Sequence, residues 1–151
     1  MTLIRATIVA EARGWIGTPY RHQASLKGIG CDCLGLVRGV WRGVIGDEPE
    51  RAPAYAPDWA EAGGIEALAD AAARHLVAIA CDAFGDGDVL LFRWRANLPA
   101  KHAAIVTSCE EGGWPDKMVH AHDGAAVAEV ALAPWWRRRI AYAFRFPGVD
   151  N

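Results

Sequence analysis

Cys33 follows Asp32 at the head of the run CLGLVRGV. Aspartate is a good helix N-cap, so this cysteine falls in the first turn of a helix, where unpaired backbone N–H groups and the helix dipole favour a thiolate over a thiol. A thiolate there is a poised nucleophile, and the chemistry it offers is acyl transfer. The plainer reading is a small buried hydrophobe, the commoner fate of cysteine.

A nucleophile needs a base, and the sequence offers three histidines in its second half. His102 opens the run HAAIVTS, where a strand would present its ring rigidly at the edge of the sheet. His120 and His122 flank Ala121, and strand alternation puts both rings on one face. If the 102 and 118–122 strands form a hairpin across the loop Cys109–Lys117, His120 comes close enough to orient His102, which makes a Cys-His-His triad of Cys33, His102 and His120. The same three rings, His102, His120 and His122, would also suit a catalytic zinc with one open position. That reading leaves Cys33 idle and finds neither a His-Glu-x-x-His helix nor a carboxylate base beside the rings. Cys31-x-Cys33 is too tightly spaced for the usual structural zinc pair.

Elements to carry these residues can be read along the chain. Apolar residues over 3–16 recur at helical spacing up to Gly17 and Pro19, and over 33–44 they do so up to Gly46. Residues 20–30 read as a loop. Prolines 49, 53 and 57 make 47–64 an irregular excursion, and IEALADAAARHL (65–76) predicts a third helix. Residues 47–80 carry no motif. Five short β-prone runs follow: 89–92, 103–107, 118–121, 127–132 and 140–146, separated by turns such as Gly85-Asp86-Gly87 and Gly112-Gly113-Trp114-Pro115. Helices first and strands after predict an α+β fold, with N-terminal helices packed on an antiparallel sheet of about five strands.

With 151 residues, 52% of them hydrophobic, the chain can bury a full core as a single domain. A net charge of −2 gives no positive field for a polyanion, so nucleic acid is disfavoured as a partner. Arg5, Glu11 and Arg13 interrupt any secretory signal, no run is long enough for membrane insertion, and synthesis in the cytoplasm is expected. Cytosolic synthesis keeps thiols reduced; Cys31 reads as a packing residue, and Cys81 and Cys109 as small buried hydrophobes.

The residues match a family in order. GIGCDCLGLVRGVW (28–41) resembles the nucleophile helix of the NlpC-type papain-like cell-wall cysteine peptidases, whose signature is Asp-Cys-Ser-Gly-Leu-Val. WIGTPY (15–20) resembles the segment that brings that family's tyrosine, here Tyr20, to the cysteine. FGDGDVLLF (84–92), HAAIV (102–106) and MVHAH (118–122) resemble its later strands. Leu34 departs from the usual serine, and the loop between His102 and His120 is longer than in many relatives.

The resemblance implies Cys33 as nucleophile, His102 as base and His120 as the residue holding His102, with Tyr20 and Asp32 on the substrate and oxyanion side. It implies no metal or organic cofactor. The implied substrate is the stem peptide of peptidoglycan, cut at the γ-D-glutamyl-diamino acid bond. The Cys-Asp-Cys-Leu-Gly-Leu variant with PWWRRR (134–139) resembles the branch found in phage and gene transfer agent tails, which implies tail-tip or baseplate partners and delivery to the target cell's periplasmic wall. The non-enzymatic alternative is a catalytically silent tail-hub or wall-binding module with a groove lined by Trp59, Trp135 and Trp136. The run Arg137-Arg138-Arg139 reads as a solvated turn.

Overall fold

A computed structural model describes residues 3–50, 66–109 and 116–149. Trp59, Ile65 and the Gly112–Pro115 turn lie outside these residues, as does most of the proline-rich stretch. Helix α1 spans Arg5–Arg13 and buries Ile8, Val9 and Ala12. It is shorter than the apolar spacing predicted, because Leu3 bridges to Val149 and residues 14–18 fold back in successive tight turns. The expected loop at 20–30 contains a small hairpin, Ser25–Leu26 (β1) against Gly30–Cys31 (β2), turned at Gly28 with φ +80°. Strands of two residues carry no alternation, so nothing in the sequence announces them.

Helix α2 spans Cys33–Val44, as its cap and apolar face predicted. Two glycines on its buried face let neighbours reach the helix backbone. A Cβ at Gly35 would stand 1.9 Å from the Ala24 carbonyl oxygen, and one at Gly39 would stand 2.0 Å from the Trp15 ring. The loop before the hairpin therefore crosses α2 within its first turn, and the chain after α1 lies against it one turn further on. Helix α3, Ala67–His75, falls inside the predicted third helix.

The strands are Val77–Ile79 (β3), Val89–Phe92 (β4), His102–Ser108 (β5), Lys117–His120 (β6), Ala128–Ala131 (β7) and Ile140–Arg145 (β8), with the one-turn helix α4, Pro134–Arg137, before the last. They form one antiparallel sheet of order β3-β8-β4-β5-β6-β7. The described sheet thus has six strands where about five were expected. The addition is β3, a three-residue edge strand directly after the predicted third helix and too short to show alternation.

Both faces of the sheet are covered. Val89, Leu91, Ala103, Ile105 and Val119 pack under Ile8, Trp15, Leu36 and Val40 of the helical half. Leu90, Phe92, Ala104, Val106 and Met118 pack on the other face with Leu132 and Trp136. Burial on two faces explains why 89–92 reads as a continuous apolar run rather than an alternating one. Asp88 anchors the start of β4, accepting from Gly85 N at 2.8 Å and from Arg145 Nη2 at 2.8 Å, with Arg5 Nη1 at 3.3 Å.

All four cysteines are free thiols. Cys31 is buried, as expected of a packing residue. Cys81 is exposed and Cys109 only partly buried, so the expectation that both are buried fails. Cys81 follows an edge strand, where one side of the chain necessarily meets solvent.

Candidate active site

Asp32 fixes the position of Cys33. One carboxylate oxygen accepts from Gly35 N at 2.7 Å, capping α2, and the other accepts from Gln23 N at 2.8 Å, tying down the preceding loop. Gln23 adopts φ +66°, a left-handed conformation unusual for a side chain of this kind, to reach it. With both oxygens held by backbone amides, Asp32 acts here as a positioning residue.

The Cys33 sulfur lies 3.8 Å from the Lys101 carbonyl oxygen. The Ala103 N–H also bonds it, so the thiol meets the backbone on either side of His102. Tyr20 is joined to Cys31 by a parallel bridge, and its hydroxyl is close enough to feel the charges of Cys33 and Asp32. Burial first, then those two groups, push its pKa up to about 12, so Tyr20 keeps its proton and is a donor.

His102 is the first residue of β5. That strand is interior to the sheet, not at its edge as expected; the histidine is presented at the strand's end instead. In the β5–β6 register Ala104 pairs with His120, which places His120 diagonally beside His102 on one face. The result is a 2.9 Å hydrogen bond between His102 Nε2 and His120 Nδ1, with both residues buried. This leaves His102 Nδ1 outside the histidine pair. Strand β6 ends at His120, but the exposed His122 ring still stands 5.6 Å from that of His102. Two of the three rings spend facing nitrogens on each other, and among the described residues no group of three is placed to hold a metal ion.

Aromatic rings wall the pair. Trp94 lies nearly parallel to His102 at 5.5 Å, and Trp136 does so at 5.4 Å while meeting His120 edge-on at 5.2 Å. Trp94 drew no attention in the sequence, since a loop tryptophan after a strand has no pattern to mark it. The arginine run is not the solvated turn that was expected. Arg137 pairs with Asp116 at the base of β6, and the Arg139 guanidinium lies 3.7 Å over the Trp135 ring, leaving Arg138 exposed.

The electrostatics correct one further expectation. Cys33 retains some exposed surface, yet the protein around it desolvates a thiolate, and with the Asp32 charge this pushes the thiol up to about 12 against the pull of three backbone N–H groups. The residue that caps the helix thus opposes the thiolate that the helix was expected to favour. Burial, then His120, His122 and Lys101, hold His102 well below the usual imidazole range; burial, then His122, takes His120 down to about 4. At rest the cysteine is a thiol and the histidine a neutral imidazole.

A pH prediction follows. The base works while neutral, and its depressed pKa keeps it neutral into mild acid. Any turnover that depends on it should change by no more than about twofold between pH 7.5 and 5.5, where an ordinary histidine would lose about tenfold. A pH profile of kcat/KM checks this. Fold stability has the same sign: it is full above the unfolded histidine value and is lost as pH falls through the lowered one.

No family model matches the sequence, and none of the curated proteins does. Solved structures do match. An NlpC/P60 family protein from Bacillus cereus ATCC 10987 aligns with a TM-score of 0.64 at 19% identity, over 97% of this chain and 41% of that one. The NlpC/p60 domain of the peptidoglycan hydrolase SagA aligns at 0.59 and 24% identity, over 94% of this chain and 98% of that one. The chain has the NlpC/P60 fold. A protein of the NLP/P60 family from Staphylococcus aureus subsp. aureus Mu50, described as similar to lipoprotein, aligns at 0.56 and 21%, over 97% of this chain and 42% of that one. This chain therefore spans less than half of the two longer structures and nearly all of the SagA domain. Within the NlpC/P60 fold, the helix capped by Asp32 and the β5–β6 hairpin bring together the elements that the sequence assigned to the site.

Proposed function

We propose that this chain is a cysteine peptidase that cuts the peptide part of peptidoglycan. One observation carries the reading: a thiol at a helix N-terminus meets the backbone on both sides of His102, at Lys101 and Ala103, and one ring nitrogen of His102 is held by His120. SagA, whose domain shares this fold, is a peptidoglycan hydrolase, which supports the substrate class.

The thiol of Cys33 attacks the scissile carbonyl carbon as its proton passes to His102 Nδ1. The oxyanion of the tetrahedral intermediate is met by the Cys33 backbone N–H and the Tyr20 hydroxyl. Collapse expels the amine, which takes the proton from His102 and leaves a thioester. Water, losing a proton to His102, attacks that thioester; the carboxylic acid leaves and Cys33 regains its proton. His120 fixes the ring throughout.

The bond we assign is the γ-D-glutamyl-diamino acid link, on the resemblance to the NlpC-type peptidases, and the setting a phage-like or gene transfer agent tail, on the motif resemblance of CDCLGL and PWWRRR. Purified muropeptides incubated with wild-type protein and with Cys33→Ala, followed by mass spectrometry, test the reading. Product with the wild type alone supports it, and the product mass names the bond. Equal product from both removes Cys33 as nucleophile. Activity lost to a chelator but not to a thiol alkylator would favour a zinc enzyme.

A further inference from the structure

We propose that Trp136 is a positioning residue of this site: carried on the strap of α4, its ring closes the His102–His120 hydrogen bond from water and fixes the orientation of the His102 imidazole. The inference rests on the proposed role of His102 as base.

The strap has its own anchors. Pro134 starts α4 at a position where its missing N–H costs nothing. Arg137 pairs with Asp116, the residue before β6, and Leu132 N donates to the Asp116 carbonyl at 2.7 Å. Arg93 N, just after β4, donates to the Arg139 carbonyl at 3.0 Å. The turn carrying Trp136 is therefore fastened to the two strands that flank β5.

Trp136 touches both members of the pair in complementary ways, lying nearly parallel to His102 at 29° and edge-on to His120 at 86°. Phe92 backs it at 5.1 Å. A flat ring against an imidazole face restricts its χ2 rotation, and an apolar ring over a hydrogen bond strengthens it by excluding water. The environment agrees: the charged or titratable groups acting on His102 are His120 and His122 from the β6 end and Lys101 just before β5, with no carboxylate among these to favour an imidazolium. Lys101 Nζ lies 5.9 Å over the Trp94 ring, which adds positive charge at the same wall.

The test uses the full chain with histidines labelled for NMR titration, alongside kcat/KM on muropeptides as a function of pH. In Trp136→Ala the His102 titration should move up by about one pH unit as water enters. At pH 5.5 to 7 kcat should fall roughly ten- to hundredfold with KM little changed. Trp136→Phe, which keeps a flat ring, should restore most of both. A folded Trp136→Ala with wild-type titration and kcat overturns the proposal. If that variant does not fold, Trp136→Leu replaces it. Leu shifted while Phe stays near wild type supports a role for the ring; Leu and Phe behaving alike overturns it. The titration reads out without turnover, so an inactive wild type showing the expected shifts would refute the peptidase reading and leave the positioning role intact.

Discussion

Replacing His102 with alanine should lower kcat/KM on muropeptides by about 10⁴-fold, and Cys33→Ala by at least as much, while the double variant is no worse than Cys33→Ala alone. The two act as one unit. A thiol whose pKa lies near 12 supplies almost no thiolate at neutral pH, so without a base to take its proton as it attacks, the nucleophile stays silent. The imidazole, in turn, has nothing to activate once the sulfur is gone. Steady-state kinetics on the three variants decide the matter, and additive losses would show that Cys33 and His102 do not work on the same proton. His120→Ala should cost less, on the order of a hundredfold, because it removes the residue holding the ring rather than the group that moves the proton.

Gly35→Ala should destabilise the fold by roughly 3 kcal/mol or more, a fall in Tm of about 6–12 °C, although one methyl group is added to a helix in a position where alanine is otherwise the better helix former. The Cβ would arrive 1.9 Å from the Ala24 carbonyl oxygen and 3.1 Å from Asp32 Oδ1. Backbone cannot swing aside as a flexible side chain can. The loop 22–24 must lift, and with it goes the Gln23 amide that holds Asp32. The same substitution should therefore impair turnover even at temperatures where the protein is folded. Thermal denaturation and kcat/KM measured on one preparation check both halves. A variant as stable and active as wild type would show that the crossing loop is free to yield.

How much of this was legible in the residues differs by element. Helix α2 was readable to its ends, because Asp32, the apolar spacing at 36, 37, 40, 41 and 44, and Gly46 are local signals that agree. The pairing of His102 with His120 was readable too, since a hairpin register follows from alternation once two strands are placed. The walls of the site were not. Trp94 sits in a loop and Trp136 on a single helical turn, and neither position has a period; only the folded chain brings both rings to His102. The protonation state of Cys33 was misjudged for a related reason. The cap argument weighed the amides of the first turn, but a carboxylate cap brings its own charge beside the sulfur, and the burial that outweighs both exists only in the folded chain, which brings Lys101 and Ala103, more than sixty residues away, against the thiol.

That separation bears on how the activity comes into being during folding. Helix α2 and its hairpin involve contacts close along the chain and can form early, whereas the bond between Cys33 and the Lys101 carbonyl spans 68 residues and requires β5 to be in place. Until then the first half has the thiol without His102. Synthesis from the N-terminus therefore presents the thiol before the elements that complete the site, and on the proposed mechanism activity should arrive only once β5 docks against the start of α2.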